Sequence, residues 1–397
     1  MASYTIQEYY DMIMALGASN GQHYVAARRY AELYPNRARH PMPDVILGAA
    51  QRLFETGNVL PNKHNVGRNR TARNLRNTEK WFVLSSKSLR QVFGLLLEST
   101  ISHIQRNRAT SPMEQLLLTL RIYATGSFLI TIGDFSGVST TSAHYIVHRV
   151  SAAIARLRPH YIHLPTTEEE IRNAQLQYYN IARFPRVIGC IDCTHIRVQS
   201  FGGENAELFR NRKGYFSFNT QVVCNSNLEI IDIVARWQGS VHDSTIFNNS
   251  RLRANFENGM YGNSLLLGDS AYPLKRYLVT PLLAPQTAAE HLYNEAHIRT
   301  RNTIERLFGI WKRRFPILAL GMRYHQHRIM NIIIATAVLH NIARRNNEAV
   351  PDNDPDLNLP APWDQMLAEC NINHRNNNDE VADVAVRTEL IHNYFAK

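Results

Sequence analysis

A mixed α/β domain preceded by helical segments is the fold this sequence predicts, and three observations predict it. Up to about residue 160, apolar residues recur at helical spacing. After Pro185, short apolar runs alternate with turn residues, as half-buried strands do. Beyond Asp269, long helical patterns return. At 397 residues the chain exceeds the usual size of a single core, so two or three domains are expected.

At the front, "YTIQEYYDMIMALG" places Ile6, Tyr9, Tyr10, Ile13 and Met14 on one helical face, and "PDVILGAAQRLFETG" repeats the pattern before Gly57. Helix, break, helix and then the basic stretch 62–80 predict a small DNA-binding unit with an arm, residues 1–80, in which Arg68, Arg70, Arg73 and Arg76 meet phosphates. A second helical segment, 85–160, follows. "PMEQLLLTLRIYATG" is a helix ending near Gly126; a short helix, a turn at Gly137 and a longer helix from Ser139 or Thr140 carry the punctuation of a helix-turn-helix. Arg149 is that last helix's candidate DNA contact, and few cations stand at its start.

Residues 161–345 form the α/β segment. "RVIGCIDCTHIRV" predicts an apolar strand reaching Asp192, then a turn into a second strand. "YFSFNTQVVCNSNLEIIDIVARW" predicts a hairpin over 215–224 and 229–236, and "NSLLLGDSAYP" a further strand ending at Asp269. A long helix bearing Glu305 and another over "RIMNIIIATAVLHNIARRN" complete the domain. Residues 346–397 read as a polar, acidic tail.

The net charge of +11 predicts an acidic partner, nucleic acid before anionic membrane. Four cysteines supply no disulfide framework, and the "CIDC" at Cys190–Cys193 is half a zinc site that no second pair completes. No run approaches eighteen apolar residues and no leader-like segment opens the chain, so a soluble protein without a membrane partner is expected. A phosphate-binding glycine loop is missing, which removes nucleotide hydrolysis of that kind.

Three carboxylates then stand out. Asp192 and Asp269 each follow an apolar run, and strands lying side by side would bring them to one sheet edge. Glu305 sits in "RTRNTIERLFGIWKRR", a lone acid among six cations. Ile304, Leu307, Phe308 and Trp311 form an apolar stripe there, with Arg301 and Lys312 along a polar one. On that geometry Arg301, Arg306 and Lys312 are available for phosphates. Three carboxylates so close repel and call for a counter-ion; Mg²⁺ or Mn²⁺ suits oxygen ligands. Two such ions roughly 4 Å apart can activate a water or 3′-hydroxyl and stabilise the leaving oxygen of a phosphodiester. Asp243, in "WQGSVHDSTIF", is either a helix cap or a further participant. His195 reads as a structural imidazole. A Ser240–His242–Asp243 triad is unattractive, since such close neighbours rarely orient one another.

In these strings the chain resembles the PIF/Harbinger-type DDE transposases and their host-gene derivatives. The matching segments are "GCIDCTHI", "RKGYFSFNTQVV", "GSVHDSTIF", "LLGDSAYPL" and "RNTIERLFGIWKRRF", in family order, with similarity running over roughly 85–345. The resemblance implies an RNase H-like (DDE) catalytic domain preceded by helix-turn-helix-type helical domains. It implies Asp192, Asp269 and Glu305 as catalytic, metal-binding acids and Asp243 as a fourth metal ligand or support. It implies a metal-dependent endonuclease acting on DNA, with strand transfer if the chain still transposes. Cys193 and Ala271 stand where the family commonly has glycine. Residues 4–75 resemble the front domain of insect transposon-like proteins, a departure from the family's usual start. The family commonly takes DNA recognition and nuclear import from a Myb/trihelix-like partner. The basic cluster 68–80 suits nuclear entry, giving the nucleus as the expected location with the cytoplasm second. Whether the chain is a homo-oligomer stays open. The rival from another class is a DNA- or chromatin-binding protein that kept the fold and lost catalysis; an RNA-processing nuclease shares the metal logic.

Overall fold

Thr5 opens the first helix, α1 (Ile6–Gly17), with a capping box. Its hydroxyl accepts from Glu8 N while the Glu8 carboxylate accepts from Thr5 N. The structure is a computed structural model that describes residues 4–19, 22–56, 84–99, 110–129, 131, 137–350 and 381–396. Arg68, Arg70, Arg73 and Arg76 lie outside the described residues.

The chain divides into two compact units, Met1–Ile154 with Arg345–Glu348, and Ala155–Arg344 with Ala349–Lys397. In the first, α1, α2 (His23–Leu33) and α3 (Pro43–Thr56) close on Tyr9, Met12, Ala26, Tyr30 and Ile46. Helices α4 (Ser86–Ser99), α5 (Pro112–Thr125) and α6 (Thr140–Arg156) follow. Ser111 and Glu114 form the capping box that starts α5, and Gly126, at φ 58°, ends it in the left-handed conformation that glycine adopts without penalty.

The second unit is built on a five-stranded sheet of order β3-β2-β1-β4-β5. Strands β1 (Val187–Arg197), β2 (Ser217–Cys224) and β3 (Ile230–Gln238) run antiparallel; β4 (Leu265–Leu267) and β5 (Leu278–Val279) continue from β1 in parallel. The chain approaches β1 through α7 (Glu168–Ala182) and passes from β3 to β4 through α8 (Asp243–Asn248) and α9 (Arg251–Glu257). Helices α10 (Ala288–Arg314) and α11 (Gln326–Arg345) follow the sheet.

Alternation assigns the two faces. Cys190, Asp192 and Thr194 share one face of β1 with Val222 and Cys224 of β2. Against that face lies α10: Cys190 Sγ approaches the Thr300 carbonyl at 3.5 Å and Cys224 Sγ the Thr303 hydroxyl at 3.6 Å. Ile191, Cys193 and His195 point the other way. There Phe247, Leu252 and Phe256 of α8 and α9 join Ile191, Val223 and Ile231 in one apolar cluster. Gly189 permits the closest sheet packing, because a Cβ there would strike Val223 Cγ1 at 2.6 Å.

Two features differ from the sequence expectation. No turn follows Asp192: β1 runs on to Arg197, because every residue from Cys190 to Arg197 is paired with β2. The second difference lies in the segment read as an acidic tail, where α12 (Val381–Leu390) and a wide helical turn, Ile391–Phe395, pack onto the sheet unit. The Asp383 carboxylate accepts from Lys275 Nζ and Arg276 N, both at 2.8 Å, and the Phe395 ring sits 5.5 Å from Phe184 and 5.7 Å from Tyr293. Local hydropathy could not reveal this contact, which depends on a few apolar side chains such as Ile391 and Phe395 after a long polar stretch.

Candidate active site

The parallel pairing of β1 with β4 sets the site. Cys190 is opposite Leu267, so Asp192 and Asp269, each two residues further along, leave the paired region at the same level. Asp192 is 8% exposed; its Oδ1 accepts from Cys193 N at 2.7 Å. Asp269 is partly buried and its Oδ1 accepts from Ala271 N at 3.0 Å, a tie within its own turn.

Glu305 comes to Asp192 through an arginine. One guanidinium nitrogen of Arg301 donates to Asp192 Oδ2 at 2.9 Å, and the other stands 3.2 Å from Glu305 Oε1, one helical turn along α10. The lone acid of the basic stretch 299–314 therefore faces inward, into an acid–arginine–acid bridge. Burial pushes the Asp192 carboxyl well above the usual carboxylate range, Glu305 adds to the rise, and Arg301 opposes it. Burial also raises Asp269, with Arg301 opposing and Asp243 adding.

Asp243 arrives from the segment after β3, near enough to both aspartates to raise them. It begins α8 without capping the helix through its side chain; its Oδ1 accepts instead from Asn219 Nδ2 at 2.8 Å, which also donates to Val241 O at 2.8 Å. Asn219 pairs with His195, three residues from Asp192 and hence on the other side of β1. The loop that delivers Asp243 packs tightly on the start of β2 at Gly239, where a Cβ would meet Ser217 Oγ at 2.4 Å. His195 Nδ1 lies 3.0 Å from Ser217 Oγ, and burial pushes its pKa down to about 4, which favours the neutral ring. A cleft of about 440 Å³ opens beside these groups, lined among others by His195, Arg212, Asn219, His242, Asp243 and Ala271. Arg212 donates to His242 Nδ1 at its rim.

The cations expected to meet phosphates divide. Arg306 is exposed, one residue after Glu305. Arg301 is buried in the bridge. Lys312 is also buried, donating to the His195 carbonyl at 3.1 Å, and burial lowers its pKa to about 8 with Glu305 opposing. Arg149, in the helical unit, is exposed and donates to Gln115 Oε1. Two groups escaped the sequence: Asn219, as the holder of Asp243, and Arg301, as the link to Asp192. The i, i+4 spacing of Arg301 and Glu305 was visible, but nothing local joins Arg301 to a residue 109 positions earlier.

Cys190 and Cys193 project from opposite faces of β1, so they cannot share a zinc ion. Cys193 approaches the Tyr272 hydroxyl at 3.3 Å instead. For a hard divalent ion the donor chemistry fits: Asp192, Asp269 and Glu305 offer only oxygens, and the two aspartates are raised by burial in a way a cation relieves. As they lie, however, no three His, Cys, Asp or Glu side chains among the described residues are grouped to hold a metal ion. The cation at the centre is Arg301. No helix among the described residues is long and apolar enough to cross a membrane.

Residues 191–341, which contain all four acids, match the family described as DDE superfamily endonuclease. The chain is 35% identical over 305 residues to the "Putative nuclease HARBI1" of Mus musculus, covering 76% of this chain and 85% of that protein. The Homo sapiens protein of the same name is 34% identical, covering 74% and 82%. "Protein ALP1-like" of Arabidopsis thaliana is 24% identical over 70% of each chain. No solved structure matches. With its mixed sheet, the level aspartates and the inward glutamate on the following long helix, the chain belongs to the PIF/Harbinger family of DDE nucleases, alongside the HARBI1 proteins.

Proposed function

We propose that the chain is a divalent-metal-dependent DNA endonuclease that hydrolyses phosphodiester bonds at Asp192, Asp269 and Glu305, with Asp243 as a fourth ligand or support. The observation that carries this reading is the level placement of Asp192 and Asp269 on adjacent parallel strands, with Glu305 joined to Asp192 through Arg301. Mg²⁺ or Mn²⁺ held by these acids supplies Lewis acidity at the scissile phosphate. The sheet holds the two aspartates, and α10 brings Glu305 in from above. Asn219 fixes Asp243. Exposed Arg306 and Lys213, with Arg212 at the cleft, draw the DNA backbone, and neutral His195 adds no charge of its own. Strand transfer belongs to the same chemistry, with a 3′-hydroxyl in place of water.

In this reading the front helices with the 62–80 arm, and Arg149 of the second helical segment, contact DNA. A Myb/trihelix-like protein and further copies of the chain are candidate partners, and the nucleus is the working location. Asp269→Asn and Glu305→Gln are expected to abolish Mn²⁺- or Mg²⁺-dependent nicking of end-labelled DNA while thermal unfolding stays cooperative. Nicking at the wild-type rate would remove both residues from the mechanism.

One observation favours the rival, a DNA- or chromatin-binding protein without catalysis: the acids are bridged by a guanidinium instead of being grouped around an ion position. Tight DNA binding with no cleavage across Mg²⁺, Mn²⁺ and several DNA ends would decide for it.

A further inference from the structure

The bridge at the centre of the site has a property that neither acid alone explains. Asp192 and Glu305 come from a strand and a helix, yet a single planar guanidinium meets an oxygen of each, at 2.9 Å and 3.2 Å. All three side chains are largely withdrawn from water, at 11%, 11% and 18% exposure. Two carboxylates brought together at such burial are unfavourable without a positive charge between them. Arginine is suited to that place because its fixed fork can satisfy two acceptors at once, which an ammonium at the end of a flexible stem does not. A divalent cation binding Asp192 and Glu305 would need the same oxygen lone pairs and would repel the guanidinium. The two cannot share the position.

We propose that Arg301 is the resident counter-ion of the ion-free site, holding Asp192 and Glu305 assembled, and that a divalent cation fills the site only by displacing its guanidinium, so that Arg301 sets the ion concentration at which the site loads. This rests on the metal-site reading above. Within it, Arg301 is a positioning residue: it acts through the two acids and leaves the site ordered before an ion arrives. The arrangement also explains why the acids are not grouped around an ion position in the structure.

The test uses the full chain, stripped with a chelator, titrated calorimetrically with Mn²⁺ alone and followed separately by thermal unfolding. The proteins are the wild type, Arg301→Gln and Arg301→Lys. Arg301→Gln is expected to bind Mn²⁺ about ten-fold more tightly, since a charge-assisted hydrogen bond to Asp192 and an ion pair with Glu305 no longer have to be broken. Arg301→Lys is expected to bind several-fold more tightly as well, because it keeps the charge and loses the fork. Both variants should melt earlier than wild type without metal and recover much of the difference when Mn²⁺ is added. Equal affinities in all three proteins, weaker binding by Arg301→Gln, or wild-type affinity in Arg301→Lys would overturn the proposal; the last would reduce Arg301 to a distant charge. If Arg301→Gln does not fold, Arg301→Lys decides alone. Equal, measurable binding in all three would leave the metal-site reading standing. If none of the three bound Mn²⁺, that reading would fall together with this one.

Discussion

Asp192 and Asp269 stand level, each two residues beyond the Cys190–Leu267 pair of adjacent parallel strands. Burial of the two carboxyls has a cost that Asp269 shows more simply, because its Oδ1 takes a backbone hydrogen bond that an asparagine can also accept. Burial raises its carboxyl, so the ionised form is disfavoured in the folded chain at neutral pH. Asp269→Asn should therefore stabilise the chelator-treated protein at pH 7, measured by urea unfolding, in the same variant that loses nicking. A loss of stability would mean that the charge is already compensated in the fold.

Asn219 ties the Asp243 carboxylate to the Val241 carbonyl with one amide group. Truncation in Asn219→Ala leaves the half-buried Val241 carbonyl without its donor and frees Asp243. A loss of about 1–3 kcal/mol in urea unfolding is expected. Nicking should fall further than the fraction unfolded explains, and this difference separates support of the site from support of the fold.

The end of the chain carries a test of its own. Phe395 fills a contact against Phe184 and Tyr293 on the unit that holds the acids. Phe395→Ala should cost about 3–5 kcal/mol if the contact is part of the same cooperative unit. If α12 detaches separately, the main unfolding transition will stay in place and limited proteolysis will cut the variant before α12 sooner than wild type.

Two buried histidines, His297 and His340, and half-buried His195 act on the acid limb of stability. Burial lowers His195 to about 4, and His297 and His340 to about 3, from 6.5. The unfolded chain binds these protons first, so their contribution is complete above pH 6.5 and is lost as pH falls toward those values. Asp192 and Asp269, raised in the fold, act in the opposite sense: their contribution is present at low pH and lost as pH rises through their folded values. His340→Gln keeps a donor for the Leu228 carbonyl, which His340 Nε2 meets at 2.8 Å, and cannot titrate. Its stability should vary less steeply between pH 6.5 and 4, by up to about 1.4 kcal/mol per pH unit. An unchanged slope would place the loss elsewhere.

What could be read from the sequence follows the range of the forces involved. Capping boxes at Thr5 and Ser111, the left-handed Gly126, the hairpin of β2 and β3 and the apolar stripe of α10 are local, and their residues announce them. The acids were legible as short strings, but their meeting depended on β1 and β4 being neighbours, which no periodicity encodes. Lys312 reads as a surface cation until the fold buries it beneath β1. Asp192 was placed at a strand end because an acid in an apolar run suggests one; pairing with β2 carries the strand past it. Arg301 joins residues far apart in sequence, and it is the group on which the ion chemistry turns.

Strand β3 lies at one edge of the sheet, and Asn341 of α11 covers part of that edge. Its Oδ1 accepts from Ile230 N at 2.8 Å and its Nδ2 donates to Ile230 O at 2.7 Å, so one side chain imitates the next strand. A peptide group satisfied in this way offers nothing for a foreign chain to zip onto. Replacing Asn341 with an apolar residue would strip the Ile230 N–H and C=O of this partner and leave them bare at the rim of the sheet.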